Sequence, residues 1–151
     1  MSSEYSTPII QKKISMNEYN FYKLLQGKDI TPEVIEIKPN DLKMVEYFST
    51  LQNVLLELCL TDQELESLIK KVKTLIKRFH SLGYIHGDLH TGNIICNSDL
   101  SEVRLIDFEN STFSSVVDQD YLDWYNKQFD TSLESAVEIM EHELENFTND
   151  L

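Results

Sequence analysis

The chain of 151 residues has a mass of 17.6 kDa, which is enough for one domain with a buried core and too little for two. Its hydrophobic content of 41%, with seven Phe, seven Tyr and one Trp, excludes an intrinsically disordered chain. Thirteen basic residues against 26 acidic ones leave a formal charge of −13, which repels phosphate backbones and anionic lipids. We therefore expect no direct nucleic-acid partner and no membrane association.

Signals for export are missing from the sequence. The N-terminus has no apolar signal core, and no stretch approaches the roughly 18 consecutive apolar residues of a membrane-spanning helix. Cys59 and Cys96 lie in apolar contexts without C-x-x-C spacing, so we expect two buried thiols in a reducing compartment. These features predict a cytoplasmic or other intracellular location, which would be a host cell if the protein is viral.

The front of the chain predicts strands around one short helix. The stretch "PIIQKKI" predicts a short strand, and "SMNEYNFYKLLQG" predicts a helix that Ser15 and Glu18 cap and that Gly27 closes. Two apolar runs, "EVIEIK" and "LKMVEYF", flank the turn "PND" and predict a pair of strands.

The clearest element is an amphipathic helix in the middle of the chain. Apolar residues recur at three- and four-residue steps in "TDQELESLIKKVKTLIKRFHSLG". Thr61 and Glu64 form a capping box at its start, and Gly83 follows its last apolar position. Two short apolar runs, 94–96 and 103–106, then predict a hairpin. The C-terminal stretches "DYLDWYNKQF" and "SLESAVEIMEHELENF" predict two helices.

This order of elements predicts an α+β fold with a strand-bearing front and a mostly helical back. Between the long helix and the hairpin, the stretch "YIHGDLHTGNII" holds a cluster of polar residues. Asp88 and Asn93 lie five residues apart there, and Asp107 lies 14 residues beyond Asn93 at the end of the hairpin. Because the hairpin can fold Asp107 back, three oxygen donors converge, which suits Mg²⁺ shared with substrate phosphates. His86 and His90 lie in a glycine-containing loop without cysteine, which disfavours Zn²⁺.

The residues "HGDLHTGN", followed by "LIDFE", resemble the catalytic loop and the metal-binding strand of the protein-kinase-like superfamily. The resemblance implies that Asp88 orients an acceptor hydroxyl and receives its proton, while Asn93 and Asp107 hold Mg²⁺ on the phosphates of ATP. His86 resembles the histidine that supports the backbone near Asp107. These four residues are the predicted catalytic set, and Asn93 and Asp107 are the predicted metal ligands.

The same resemblance assigns nucleotide contacts in the front half of the chain. Glu18 resembles the helix glutamate that pairs with a strand lysine. Either Lys12 or Lys13 would be that lysine, which reaches the α and β phosphates. Strand alternation lets only one of the two face inward, and the sequence does not choose between them because the register is unknown.

The resemblance also implies a hinge segment that binds adenine and an aspartate that supports the catalytic loop. The stretch "KMVEYF" resembles the hinge, at which the backbone of Glu46, Tyr47 and Phe48 would hydrogen-bond adenine beneath Val45. Asp120 resembles the helix aspartate that braces the catalytic loop. The cofactors that the resemblance implies are ATP and Mg²⁺.

Several departures from the superfamily pattern imply a truncated protein-kinase-like fold. Only 11 residues precede Lys12 and none is Gly, so the glycine-rich loop is expected to be missing. "DFE" replaces the usual D-F-G, and no A-P-E follows. We expect a single kinase-like domain over residues 1–151, with 1–48 as a reduced N-lobe and hinge and 49–151 as a minimal C-lobe. A protein partner that completes the N-lobe is one expectation. The short form resembles RIO-type kinases, the small kinase of the tRNA-threonylcarbamoylation complex, and the aminoglycoside and choline kinases.

The favoured hypothesis is a minimal Mg-ATP-dependent kinase that transfers the γ-phosphate to a serine or threonine hydroxyl of a protein. A second hypothesis keeps the chemistry but makes the acceptor a small hydroxyl compound. A third is a pseudokinase or a nucleotide-binding partner module. Pseudokinases often lose a metal-site residue, whereas this chain retains Asp88, Asn93 and Asp107, which argues against the third hypothesis.

Overall fold

The computed structural model describes residues 8–47 and 49–149 of the chain. Phe48, one of the predicted hinge residues, lies outside them. Within the described residues the fold contains eight strands in small antiparallel sheets and four α-helices. The predicted α+β class is confirmed.

Three antiparallel strands and one helix form the front of the molecule, and all four match the predicted elements. They are β1 (Ile9–Lys13), α1 (Met16–Leu25), β2 (Val34–Lys38) and β3 (Asp41–Val45), with the sheet order β1-β3-β2. Ser15 caps α1, because its side chain accepts a hydrogen bond from the Glu18 backbone N–H at 3.1 Å. Among the described residues, β1 pairs with β3 alone. The expectation that a partner completes this sheet stays a prediction.

A short strand and a short helix follow, β4 (Ser49–Thr50) and α2 (Leu51–Glu57), and the sequence patterns do not predict either. An apolar run as short as "LQNVLLE" fits a strand or a helix, so its periodicity is ambiguous. The chain turns directly after α2, where the Leu60 backbone N–H donates to the Leu58 carbonyl at 3.2 Å. Leu60 is buried and Cys59, within this turn, is exposed, so the prediction of a buried thiol is wrong for Cys59 and confirmed for Cys96.

The long predicted helix is α3 (Asp62–Ser81), and its capping box is present. The Thr61 side chain accepts from the Glu64 backbone at 3.1 Å, and the Glu64 carboxylate accepts from the Thr61 backbone at 3.0 Å. Its apolar face is buried through Leu68, Val72, Leu75, Ile76 and Phe79. Gly83 follows the helix with φ +89°, a left-handed conformation that glycine adopts without strain.

Four short strands surround the predicted site loop. They are β5 (Tyr84–Ile85), β6 (Ile94–Cys96), β7 (Val103–Leu105) and β8 (Thr112–Phe113). Strands β6 and β7 form the predicted hairpin, β6 also pairs with β4, and β5 pairs with β8.

A single helix, α4 (Gln119–Asn149), occupies the C-terminal third, so the prediction of two helices is wrong. The stretch "DTS" between the two predicted segments has low helix propensity but contains neither Gly nor Pro. The buried positions Tyr125, Phe129 and Leu133 continue at four-residue steps across it, and burial of this face outweighs the local propensity. No helix among the described residues is both long and apolar enough to cross a membrane.

One hydrophobic core joins the front and the back of the molecule. Tyr22 of α1 and Phe108, just after β7, are both fully buried, and their rings pack edge to face with centroids 5.1 Å apart. The backbone N–H of Leu105 donates to the Ile30 carbonyl at 2.7 Å. The segment after β7 is thus packed directly against α1, which matters for the site.

We predict that Thr131→Pro destabilises the protein by about 3 kcal/mol, because a proline inside a helix removes a hydrogen bond and clashes with the preceding turn. Thr131→Ala, at the same exposed position, should be neutral or slightly stabilising. Urea unfolding followed by far-UV circular dichroism measures both. If the chain instead began a new helix near residue 131, proline would be tolerated there.

Candidate active site

The loop that joins β5 to β6 is organised around His86, whose side chain is completely buried. Its Nδ1 accepts a hydrogen bond from the Asp88 backbone N–H at 3.2 Å, so the ring proton of the neutral imidazole lies on Nε2. Nε2 then donates to the Ile106 carbonyl at 2.7 Å. Burial lowers the pKa of His86, which favours this neutral form. The ring therefore ties the backbone of Asp88 to the residue before Asp107.

Gly87 allows the loop to turn at this point. Its φ is +88°, and a Cβ built on it would lie 2.1 Å from the Asn110 carbonyl oxygen. Both the left-handed backbone and the close approach of Asn110 exclude a side chain here.

Asp88 and Asn93 lie against each other across the loop. The Asn93 side-chain amide donates to the Asp88 carbonyl at 2.9 Å and lies 3.4 Å from its Oδ2. Asn93 is buried, whereas the Asp88 side chain is 52% exposed. His90 Nε2 lies 3.7 Å from Asp88 Oδ2. This geometry leaves the Asn93 amide oxygen to coordinate an ion and leaves the Asp88 carboxylate open to a second molecule.

The hairpin places Asp107 beside this pair. Ile94 pairs with Leu105, and the Ile106 backbone N–H donates to the Asn93 carbonyl at 3.1 Å. Asp107 therefore follows directly after a residue bonded to Asn93. The structure thus brings Asp88, Asn93, Asp107 and His86 together, while their catalytic and metal-binding roles stay predictions.

Asp107 has a left-handed backbone, with φ +69°, and side chains of helix α1 contact the backbone around it. The Asp107 N–H lies 3.4 Å from the Tyr22 hydroxyl, and the Phe108 N–H donates to the Glu18 carboxylate at 3.3 Å. The Asn17 side-chain amide donates to three carbonyls of the following turn, those of residues 108, 109 and 111, at 3.2, 2.9 and 2.9 Å. Side chains from α1 thus hold the whole turn.

The structure distinguishes the two candidate lysines. Lys12 Nζ lies 3.7 Å from Glu18 Oε2, and its strand position is opposite buried Leu42. Lys13 is exposed, opposite Asp41 on the other face of the sheet. Burial raises the pKa of Glu18, and the positive charge of Lys12 opposes that rise. The register thus brings Lys12, and not Lys13, to Glu18 and the site.

A cavity of about 310 Å³ lies between the front sheet and the hairpin. Its walls include Ile10 and Met44 from the sheet, Ile95 and Ile106 from the back, and the predicted hinge residues Glu46 and Tyr47. The Glu46 N–H donates to the Pro8 carbonyl at 2.9 Å, so hydrogen bonding of an adenine by Glu46 would have to use its carbonyl.

A larger cavity, of about 620 Å³, shares the hinge residue Tyr47 with this one and is lined on its other sides by residues such as Asp29, Glu33 and Arg104. Neither cavity is lined by a predicted catalytic residue, and Ile106, the residue before Asp107, lines only the smaller of the two. The smaller cavity, which borders Ile106 beside Asp107, is therefore the one that fits the site.

The predicted brace, Asp120, has no hydrogen bond to the loop among the described residues, and Tyr125 makes that contact. Asp120 is exposed in the first turn of α4, whereas Tyr125, one turn further along, accepts the His86 backbone N–H at 3.0 Å on its hydroxyl. Ser111, which donates from its hydroxyl to the His86 carbonyl at 2.8 Å, was also missed. A signal for Tyr125 existed, because a tyrosine inside an apolar helical stripe is buried and needs a partner for its hydroxyl.

The fold and the site together define a small kinase-like domain, and comparison with known proteins gives the family. Residues 43–149 match the lipopolysaccharide kinase (Kdo/WaaP) family. The chain belongs to this family, which confirms the predicted protein-kinase-like superfamily and the truncated kinase-like fold.

Two curated relatives are similar to parts of the chain. Serine/threonine-protein kinase 1 of African swine fever virus (isolate Tick/Malawi/Lil 20-1/1983) is 28% identical over 110 residues, which is 72% of this chain and 31% of that protein. The EKC/KEOPS complex subunit BUD32 of Debaryomyces hansenii is 38% identical over 65 residues, which is 43% of this chain and 24% of that protein. The chain thus spans less than a third of the length of each. The family match begins within β3, so it includes Asp88, Asn93 and Asp107 but not Lys12 or Glu18.

We predict that Asn17→Ala destabilises the protein by about 1–3 kcal/mol, because carbonyls packed against α1 lose their shared donor. Asn20→Ala, an exposed change on the same helix, is the matched control and should change stability by no more than about 0.5 kcal/mol. Chemical denaturation measures both. Equal stability of the two variants would contradict the importance of the Asn17 contacts.

Proposed function

We propose that this chain transfers the γ-phosphate of ATP to a hydroxyl group. The observation that carries the proposal is the arrangement of Asp88, Asn93 and Asp107 on one loop and one hairpin, next to a cavity beneath the front sheet. Phosphoryl transfer requires chiefly positioning and neutralisation of charge, and these residues supply both. Because ATP is the donor, we place the reaction inside a cell.

In the proposed reaction, Asp88 acts on the acceptor. Its carboxylate accepts a hydrogen bond from the acceptor hydroxyl and takes up the proton as the oxygen–phosphorus bond forms. The bond between the γ-phosphorus and the β–γ bridging oxygen breaks, and ADP leaves. The half-exposed position of Asp88 gives an acceptor direct access to its carboxylate.

The metal ion of the proposed reaction is Mg²⁺, held by Asn93 and Asp107. The residues fit this ion, since the Asn93 amide nitrogen is used by Asp88 and its oxygen is left to coordinate. Within the described part of the chain, no cluster of three or more His, Cys, Asp and Glu could hold a metal. A site with one carboxylate and one amide suits an ion that phosphates and water also coordinate. When bound, Mg²⁺ would neutralise charge on the phosphates.

The nucleotide is proposed to lie in the cavity beneath the front sheet. Lys12, held by Glu18, would contact the α and β phosphates, and the apolar walls from Ile10, Met44 and Ile95 would contact adenine. The carbonyl of Glu46 is the hinge group left to accept from adenine.

We propose a serine or threonine of a protein as the acceptor. The open position of Asp88 suits an extended segment, and a viral relative named as a serine/threonine-protein kinase supports this class. A sugar hydroxyl is the second candidate, because the matched family is named for kinases of lipopolysaccharide.

We expect Asp88→Ala to lower phosphate transfer at least about 100-fold, since the acceptor loses the group that takes its proton. The assay follows labelled γ-phosphate from Mg-ATP onto the chain itself, a basic protein mixture and a sugar acceptor. Asp120→Ala, an exposed aspartate change on α4, should leave transfer unchanged. Wild-type rates in Asp88→Ala would refute the assigned role, and no transfer by the wild type to any acceptor would refute the proposed function.

Lys12→Met should weaken binding of Mg-ATP about 10-fold or more, because the phosphates lose a charged partner, whereas Lys13→Met should bind as the wild type does. Isothermal titration calorimetry with a non-hydrolysable ATP analogue makes the comparison. The two lysines are adjacent and carry the same charge, so each variant controls for the loss of net charge in the other. Equal weakening by both would contradict the assignment of Lys12.

A further inference from the structure

Tyr125 is a buried residue whose hydroxyl points at the catalytic loop. It is 3% exposed, and its ring packs against His80 and Tyr121, with centroid distances of 5.5 and 6.2 Å. A phenylalanine would fill the same space, so packing alone does not account for the hydroxyl. That hydroxyl accepts the His86 backbone N–H at 3.0 Å.

Each of the four polar atoms of His86 makes a hydrogen bond. Tyr125 accepts from its backbone N–H, Ser111 donates to its carbonyl, and the two ring nitrogens bond to the backbone at Asp88 and Ile106. The ring nitrogens connect His86 to the residues that carry the proposed chemistry. The backbone contacts decide where that ring lies.

We infer that Tyr125 is a positioning residue, which acts through His86 to hold Asp88 and Asp107 in the geometry that phosphate transfer requires. This inference rests on the proposed function. Without the hydroxyl, the buried His86 N–H has no acceptor, and a buried N–H seeks another partner by moving. The His86 ring, Asp88 and the Ile106 carbonyl are joined, so they move with it.

The position of Tyr125 separates its effect from nucleotide binding. It contacts the loop from α4, and it does not line the cavity of about 310 Å³. Lys12 and the hinge belong to other elements. Loss of the hydroxyl should therefore slow the transfer step and leave the affinity for ATP unchanged. This pattern distinguishes a residue that positions the reacting groups from one that binds the nucleotide.

The test compares Tyr125→Phe with Tyr121→Phe. Both changes remove one hydroxyl from the same face of α4, and Tyr121 has no hydrogen bond to the loop among the described residues. We expect Tyr125→Phe to lower kcat about 10-fold or more with KM for ATP within about twofold of the wild type, and Tyr121→Phe to change neither. An unchanged kcat, or a loss confined to KM for ATP, would overturn the inference.

A second measurement does not depend on activity. Amide hydrogen exchange, followed by NMR on the folded protein, should show faster exchange at His86 and Asp88 in Tyr125→Phe and no change there in Tyr121→Phe. Exchange at wild-type rates would overturn the inference. If the wild type transfers no phosphate but the His86 amide still loses protection, the proposed function fails while the hold of Tyr125 on the loop stands.

Discussion

The left-handed backbone at Asp107 is the constraint on which the rest of the site depends. A residue with a side chain pays roughly 1 kcal/mol or more to adopt such a conformation, so its surroundings must impose it. Here Asn17, Glu18 and Tyr22 supply hydrogen-bond partners to the backbone from residue 107 to 111. These three side chains lie within the first two turns of α1, and the buried face of that helix anchors them. The position of the proposed metal-binding carboxylate is therefore decided by the packing of a helix about 90 residues earlier in the chain.

Local patterns in the sequence predicted what local physics determines. Three predicted features depend only on residues close together in the sequence, and the structure contains all of them. They are the capping box at Thr61, the hairpin, and the spacing of Asp88, Asn93 and Asp107. Contacts between segments that are distant in the sequence could not be predicted. Tyr125 bonds to a residue 39 positions away, and Asn17 to carbonyls more than 90 positions away, so no periodicity could reveal them. The error over α4 has the same origin, because a buried face overrode the weak helix formers in "DTS".

The register of β1 shows how one long-range fact resolves a local ambiguity. Because side chains alternate along a strand, only one of two adjacent lysines can face inward. The pairing of β1 with β3 shows that Lys12 is the inward-facing one. This part of the molecule lies outside the family match, which begins at residue 43. The family match does not cover Lys12 or Glu18. The ion pair between them therefore supports the resemblance to protein kinases independently of that match.

The contacts of Asn17 also have a consequence for the mobility of helix α1. Rotating α1 away from the site would break the bonds from Asn17, Glu18 and Tyr22 together and would pull Tyr22 from its packing against Phe108. A helix fastened in this way makes a poor on–off switch, because the off state would forfeit several buried contacts at once. Helix α1 is therefore a fixed support of the turn after Asp107, and its contacts favour one position of the helix.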